Sequence, residues 1–133
     1  MKVLALDYGR ARTGVAVSDS TGTVARPVGV VEGAATRAGL ERLAELVSEH
    51  GAERVVVGLP LTLSGARGEQ AQATELFVEA LRTALDVPVE SFDERFTTDL
   101  AEQGEGPGRA PVDARAAAHL LSSYLAWSSS GHR

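Results

Sequence analysis

The segment RVVVGLP, residues 54–60, places the strongest constraint on how this chain can fold. It is short and almost continuously apolar, a pattern typical of a β-strand that is buried on both of its faces. Amphipathic helices are predicted on either side of it, at 37–50 and at 69–85, with Gly51 as the C-cap of the first. A strand that is reached and left through helices is expected to run parallel to its neighbours, so the pattern favours an α/β fold.

The N-terminal quarter of the chain predicts a different strand arrangement. Residues 2–8 and 13–19 are predicted to form two strands joined by a tight turn, hence an antiparallel hairpin, and 24–32 is predicted to be a third strand. Because Pro27 has no amide hydrogen, the third strand is expected at an edge of the sheet. With the buried strand and a further strand at 87–94, the prediction is a five-stranded mixed sheet in the order 3-2-1-4-5, with helices on both faces.

The rest of the chain is predicted to form a short helix at 97–103, a loop at 104–111, a final helix at about 113–127 and a disordered tail at 128–133. No linker is recognisable, so we expect one domain over residues 1–133. The chain has no cysteine, which excludes disulfides and thiolate metal sites. No segment has the pattern of a signal peptide or a membrane span, and we therefore expect a cytoplasmic protein.

Three aspartates from distant parts of the chain are predicted to meet at one edge of this sheet. Asp7 ends the first strand, Asp93 ends the fifth, and Asp113 opens the last helix on the apolar stripe that packs against the sheet. Clustered negative charges need protons or cations to neutralise them, and carboxylate oxygens suit Mg²⁺ or Mn²⁺. Glu94 is a weaker candidate ligand, because strand alternation places it on the opposite face from Asp93.

Each aspartate also has a purely structural explanation. Asp7 could cap a turn, Asp93 could be one solvated charge among several, and Asp113 taken alone is better explained as a helix N-cap. The three histidines form no metal or nucleophile constellation. The net charge of −5 argues against broad nucleic-acid binding, but it leaves room for a local basic rim around an acidic metal site.

Four motifs in this order resemble the YqgF/RuvX family: LALDYGRARTGVAVSD, VVVGLPLTLSGARGEQA, DERFTT and VDARAAAHLLSSYL. The resemblance extends from residue 3 to about residue 125. It implies an RNase H-like fold and the activity of a pre-16S rRNA nuclease or a Holliday junction resolvase. It also implies that Asp7, Asp93 and Asp113 match the acidic positions of the family. Its other motif positions correspond to Arg12, Gly58, Pro60, Gly65, Gly68, Arg95, Thr97 and Thr98.

The resulting hypothesis is metal-assisted hydrolysis of phosphodiester bonds. Asp7 would bridge two Mg²⁺ or Mn²⁺ ions, with Asp93 and Asp113 each holding one. The expected partner is nucleic acid, with an rRNA precursor favoured over branched DNA, either free or in a ribosome precursor, and no membrane. A monomer and a homodimer are both compatible with the sequence. The candidate substrate-binding residues are Arg12, Arg67, Arg95, Thr97 and Thr98.

The segment AEQGEGPGRAP departs from the family, whose members often carry a longer loop rich in lysine and arginine at this point. Arg109 is its only basic residue, which weakens the case for tight substrate binding. Two alternatives from other classes remain. DYGRARTG also resembles the first phosphate loop of actin-like and sugar-kinase ATPases, although 133 residues leave no room for their second domain. A non-catalytic module that binds RNA or the ribosome could have the same fold.

Overall fold

A computed structural model describes residues 1–61, 64, 68–96 and 112–129. The elements in chain order are β1 (Val3–Asp7), β2 (Arg12–Ser18), β3 (Ala25–Glu32), α1 (Arg37–His50), β4 (Arg54–Leu59), α2 (Glu69–Ala84), β5 (Val89–Asp93), a 3₁₀ turn (Glu94–Phe96) and α3 (Val112–Trp127). All five predicted strands and the three longer predicted helices are present, with small shifts at their ends. The predicted short helix at 97–103 and the loop at 104–111 lie outside the described residues.

The five strands form one mixed sheet in the order β3-β2-β1-β4-β5, which confirms the predicted order. β1, β2 and β3 pair in antiparallel fashion, whereas β4 is parallel to both β1 and β5. Pro27 lies on the edge strand β3, opposite Ala16 and beside a shift in register. The proline therefore occupies a strand that has a neighbour on one side only, where its missing N–H group is tolerated.

The two faces of the sheet are covered by different helices. Leu4 and Leu6 of β1 are buried in a core that includes residues of α1 and α2. Val3 and Ala5 of the same strand are buried on the other face, against α3. Side chains alternate along a strand, so Asp7 is in phase with Val3 and Ala5 and is directed to the α3 face. The α3 face is therefore the one that decides what surrounds Asp7.

The ends of the helices follow the local sequence signals. Thr36 precedes α1 and its hydroxyl oxygen accepts a hydrogen bond from the Gly39 amide at 3.1 Å, and Gly51 ends the helix with a φ of 64°. Ser128 and Ser129 donate hydrogen bonds back to α3 carbonyl groups, so these two residues of the predicted tail are ordered on the helix. In the part of the chain that the structure describes, no helix has the length and apolar character needed to cross a bilayer.

Candidate active site

Asp7 lies at the carboxyl end of β1, where the sheet opens. It is half-buried and pairs with Gly14 of β2 in the antiparallel register. Burial, and to a smaller extent the negative charge of Asp113, raise the pKa of Asp7 above its ordinary value. The carboxyl group of Asp7 is therefore held in surroundings that disfavour its own negative charge.

Gly14 allows the first turn of α3 to lie directly on the sheet. A Cβ atom on Gly14 would collide with the backbone carbonyl group of Asp113 and would lie 3.1 Å from the nitrogen of Ala114. This close approach of the helix brings Asp113 next to Asp7, and it also places Asp113 beside Arg12. The Arg12 Nε atom lies 3.4 Å from Asp113 Oδ2, and both side chains are accessible to solvent. One predicted acid thus lies next to Asp7, and one predicted phosphate-binding residue contacts that acid.

Glu94, which the sequence favours less as a metal ligand than the three aspartates, lies close to Asp7. It is half-buried and begins the 3₁₀ turn that follows β5. A Cβ atom on Gly58 of β4 would lie 2.5 Å from Glu94 Oε2, so the Glu94 carboxyl group occupies the space above this glycine. Burial, followed by the charges of Asp7 and Asp93, raises the pKa of Glu94 to about 7. Glu94 therefore belongs to the same carboxylate cluster as Asp7.

Asp93 is engaged by an arginine two residues further along the chain. The backbone amide of Arg95 donates to Asp93 Oδ1 at 2.9 Å, and Nη2 of the guanidinium group donates to Oδ2 at 2.6 Å. The Nε atom also donates to the carboxylate. The guanidinium hydrogen bonds of Arg95 are the main reason that the pKa of Asp93 is lowered. Asp93 therefore differs from Asp7 and Glu94, whose pKa values are raised.

The alternation of side chains along β5 explains the relation between Asp93 and Glu94. Phe92 packs on the α3 face, and Ser91 lies beside α2 on the other face. Asp93 is therefore in phase with the α2 face, and Glu94 reaches the face of Asp7. The alternation of side chains along β5 correctly separates Glu94 from Asp93. It does not by itself indicate which of the two shares a face with Asp7. The large apolar Phe92 was the signal that could have indicated it.

The other predicted substrate-binding residues divide into two groups. Arg12 contacts Asp113 of the cluster, and Arg95 contacts Asp93, which is in phase with the other face of the sheet. Arg67, Thr97 and Thr98 lie outside the described residues. Gly65 and Arg109 lie outside them as well.

The carboxylate cluster is a candidate metal site. Within the described ranges, no three side chains of histidine, aspartate or glutamate are arranged to hold a metal ion as they stand. The chemistry of the donors nevertheless fits a hard divalent cation, because Asp7, Glu94 and Asp113 offer carboxylate oxygens whose repulsion a cation would relieve. To become a ligand, Asp113 would turn from its ion pair with Arg12.

Sequence comparison shows similarity over nearly the whole chain. The profile of the RuvX family, described as Holliday junction resolvase, matches residues 1–127. A protein of Chloroflexus aurantiacus named "Putative pre-16S rRNA nuclease" is 42% identical over 130 residues, which cover 92% of this chain and 85% of that protein. A protein of the same name from Desulforudis audaxviator is 40% identical over 132 residues, which cover 94% of each of the two chains.

Comparison with solved structures shows the same architecture. Thermus thermophilus RuvC in complex with a Holliday junction substrate superposes with a TM-score of 0.70 and 17% identity, covering 99% of this chain and 97% of that chain. A second Thermus thermophilus RuvC structure gives a TM-score of 0.68 and 18% identity. At these identities the likeness establishes the fold alone, and it confirms the predicted RNase H-like architecture.

Proposed function

Because this chain belongs to the RuvX family, we propose that it is a metal-dependent endonuclease that hydrolyses phosphodiester bonds. The observation that carries the proposal is the convergence of Asp7, Glu94 and Asp113 at the carboxyl end of β1. The three residues come from distant segments of the chain, and burial, followed by the charges of neighbouring aspartates, raises the pKa values of Asp7 and Glu94. Such a cluster is unfavourable for the folded protein by itself, and perturbed carboxylates of this kind are concentrated at functional sites.

Asp7, Glu94 and Asp113 would hold Mg²⁺ or Mn²⁺ in this proposal, with Asp7 central and two ions in the complete site. Asp93 would contribute only after giving up its bonds from Arg95. Such ions, when bound, supply a water of lowered pKa and stabilise the negative charge that develops on the phosphate. Since the pKa of Glu94 is raised to about 7, this carboxyl group is partly protonated at neutral pH, and metal binding would release that proton.

Arg12 and Arg95 are the proposed contacts of the scissile phosphate. The Arg12 guanidinium group contacts Asp113 of the carboxylate cluster, and the Arg95 guanidinium group contacts Asp93, the residue before Glu94. A phosphate that approaches the cluster therefore meets two cations that can form charge-assisted hydrogen bonds with its oxygens. These bonds would hold the phosphate next to Asp7 and offset its repulsion by the carboxylates.

The proposed physiological substrate is the 5′ region of the 16S rRNA precursor, processed in the cytoplasm, either free or within a ribosome precursor. The names of the relatives support this choice. The net charge of −5 supports it as well, because a resolvase grips several DNA backbones and each phosphate contact needs a basic group. The description of the family favours a second candidate, a Holliday junction resolvase, which would act as a symmetric dimer on two strands.

A cleavage assay on an rRNA precursor and on a four-way DNA junction tests the proposal. The wild type is compared with Asp7→Asn and with Asp86→Asn, which makes the same change at an exposed position before the amino end of β5. We expect RNA cleavage by the wild type and by Asp86→Asn in Mg²⁺ or Mn²⁺, and loss of cleavage in Asp7→Asn and in excess chelator. An unchanged circular dichroism spectrum shows that Asp7→Asn has kept its fold.

Two results would contradict this proposal in different ways. Undiminished cleavage by Asp7→Asn, or by the wild type in excess chelator, would remove the assigned mechanism. Symmetric cutting of the junction by a dimer, with little cleavage of the RNA, would keep the mechanism and assign the resolvase as the function.

A further inference from the structure

Two glycines flank Asp7 on the strands at either side of it. Gly14 of β2 is the residue paired with Asp7 in the antiparallel register. On the other side Leu6 pairs with Val57 in the parallel register, so Gly58 is the residue of β4 next to Asp7. Asp7 is thus the centre of a row of three residues across the sheet, and both of its neighbours lack a side chain.

The space left by each glycine is filled by a residue that carries one of the other carboxyl groups. Above Gly14 lies the backbone of Asp113, with which a Cβ atom would collide. Above Gly58 lies the side chain of Glu94, whose Oε2 and Cγ atoms would be 2.5 and 3.0 Å from a Cβ atom, with Leu120 Cδ2 beside it at 3.1 Å. Glycine in the middle of a β-strand weakens the strand. The close approach of Asp113 and Glu94 explains why glycine is present at positions 14 and 58.

We propose that Gly14 and Gly58 are positioning residues that determine how closely Asp113 and Glu94 approach Asp7. Gly58 acts through the Glu94 side chain, and Gly14 acts through the backbone of the first turn of α3. The inference builds on the proposed function, since the spacing of the carboxylates matters for catalysis only if they hold the metal. The geometry itself can be tested without metal or substrate.

The two glycines differ in what a substitution would displace. At Gly58 the obstacle is mainly the end of a flexible side chain, so Gly58→Ala would turn Glu94 aside and keep the fold. At Gly14 the obstacle is backbone, so Gly14→Ala would move the start of α3 and destabilise the protein more. Gly29→Ala is a matched control, because Gly29 lies on β3 and no atom is within 4 Å of its Cβ position.

The first measurement is thermal unfolding of the metal-free proteins. Gly58→Ala should lower the midpoint by about 5 °C relative to the wild type, and Gly29→Ala should change it by less than about 2 °C. In a Glu94→Ala background the displaced carboxyl group is gone and Leu120 Cδ2 still lies 3.1 Å from the Cβ position, so Gly58→Ala should lower the midpoint by clearly less than it does in the wild type. An equal fall in both backgrounds would overturn the proposed role of Gly58, whatever the activity of the protein.

The second measurement is the affinity for Mn²⁺, by calorimetry, together with the cleavage rate. Gly58→Ala should weaken Mn²⁺ binding and slow cleavage by about 10- to 100-fold, and it should cause no further loss when Glu94 is already alanine. Gly14→Ala should cause losses of similar size and a larger fall in the unfolding midpoint. Activity and affinity equal to those of Gly29→Ala would overturn the inference. A wild type that neither binds Mn²⁺ nor cleaves would instead overturn the proposed function.

Discussion

Glu90 and Glu94 lie four residues apart along one segment of the chain and meet very different surroundings on the α3 face of the sheet. Glu90 Oε2 accepts hydrogen bonds from Arg54 Nη1 at 2.7 Å and from the Tyr124 hydroxyl at 2.6 Å. Glu94 is half-buried beside Asp7, and burial together with the charges of neighbouring aspartates raises its pKa to about 7. One glutamate is neutralised by its partners, and the other is crowded by like charges.

The surroundings of Glu90 show that this face of the sheet can accommodate a glutamate whose carboxylate has hydrogen-bond partners. Phe92, Tyr124 and Trp127 pack against one another on this face, with ring centroids 5.5 Å apart for the first two and 5.4 Å apart for Phe92 and Trp127. Arg54 and Tyr124 then supply the hydrogen bonds that a partly buried carboxylate requires. The crowding at Glu94 is therefore not imposed by the architecture, and we attribute it to the requirements of catalysis.

The largest expected effect separates the two glutamates by activity. Glu94→Gln should slow cleavage about a thousandfold, which corresponds to about 4 kcal/mol, because it removes a proposed metal-binding oxygen from the cluster. Glu90→Gln makes the same change of charge away from Asp7 and should leave the rate within a few-fold. Single-turnover cleavage at saturating Mg²⁺ measures both. Similar losses in the two variants would abolish the distinction between their surroundings.

A smaller effect separates the two regions by stability. Arg54→Ala leaves the Glu90 carboxylate without its cation in a pair whose side chains are 17% and 34% exposed, and it should lower the free energy of unfolding by about 2 kcal/mol. Arg12→Ala breaks the more exposed ion pair with Asp113 and should change the free energy of unfolding by less than about 1 kcal/mol. Urea denaturation compares the two. If the Arg54→Ala, Glu90→Gln double variant regains the free energy of unfolding that Arg54→Ala loses, the unpaired charge of Glu90 is the cause of that loss.

The smallest effect concerns pH. An ordinary glutamate titrates near 4.5, whereas the pKa of Glu94 is about 7, so between these values the folded protein binds more protons than the unfolded chain. Stability present below about pH 4.5 is therefore lost as the pH rises to about 7. Since Glu94 is only half-buried, we expect a loss of about 1–2 kcal/mol from this group.

Thermal unfolding in the presence of a chelator, from pH 4.5 to pH 8, measures this loss. Glu94→Gln should flatten the profile across the window, and Glu90→Gln should not. Asp7, whose pKa is also raised, adds a change of the same sign. A wild-type stability that is level or that increases between pH 4.5 and pH 7 would contradict the raised pKa of Glu94.

The sequence was sufficient for the architecture because the signals involved are local. The edge position of β3 follows from Pro27, and the end of α1 follows from Gly51, each through the chemistry of a single residue. The stripe of α3 that packs on the sheet follows from a helical period, and Ala117, Leu120 and Leu121 are indeed buried. These features need no knowledge of what lies across the sheet.

The amino-acid sequence by itself thus determined the strand order, and it determined that Asp7 ends β1 and that Asp113 lies in the first turn of α3. Only the tertiary structure decided that Glu94, and not Asp93, shares a face with Asp7. It alone revealed that two glycines make room for the neighbouring carboxylates. The physical reason is that periodicity describes one element at a time, whereas these contacts depend on how closely a strand, a turn and a helix from distant parts of the chain approach one another.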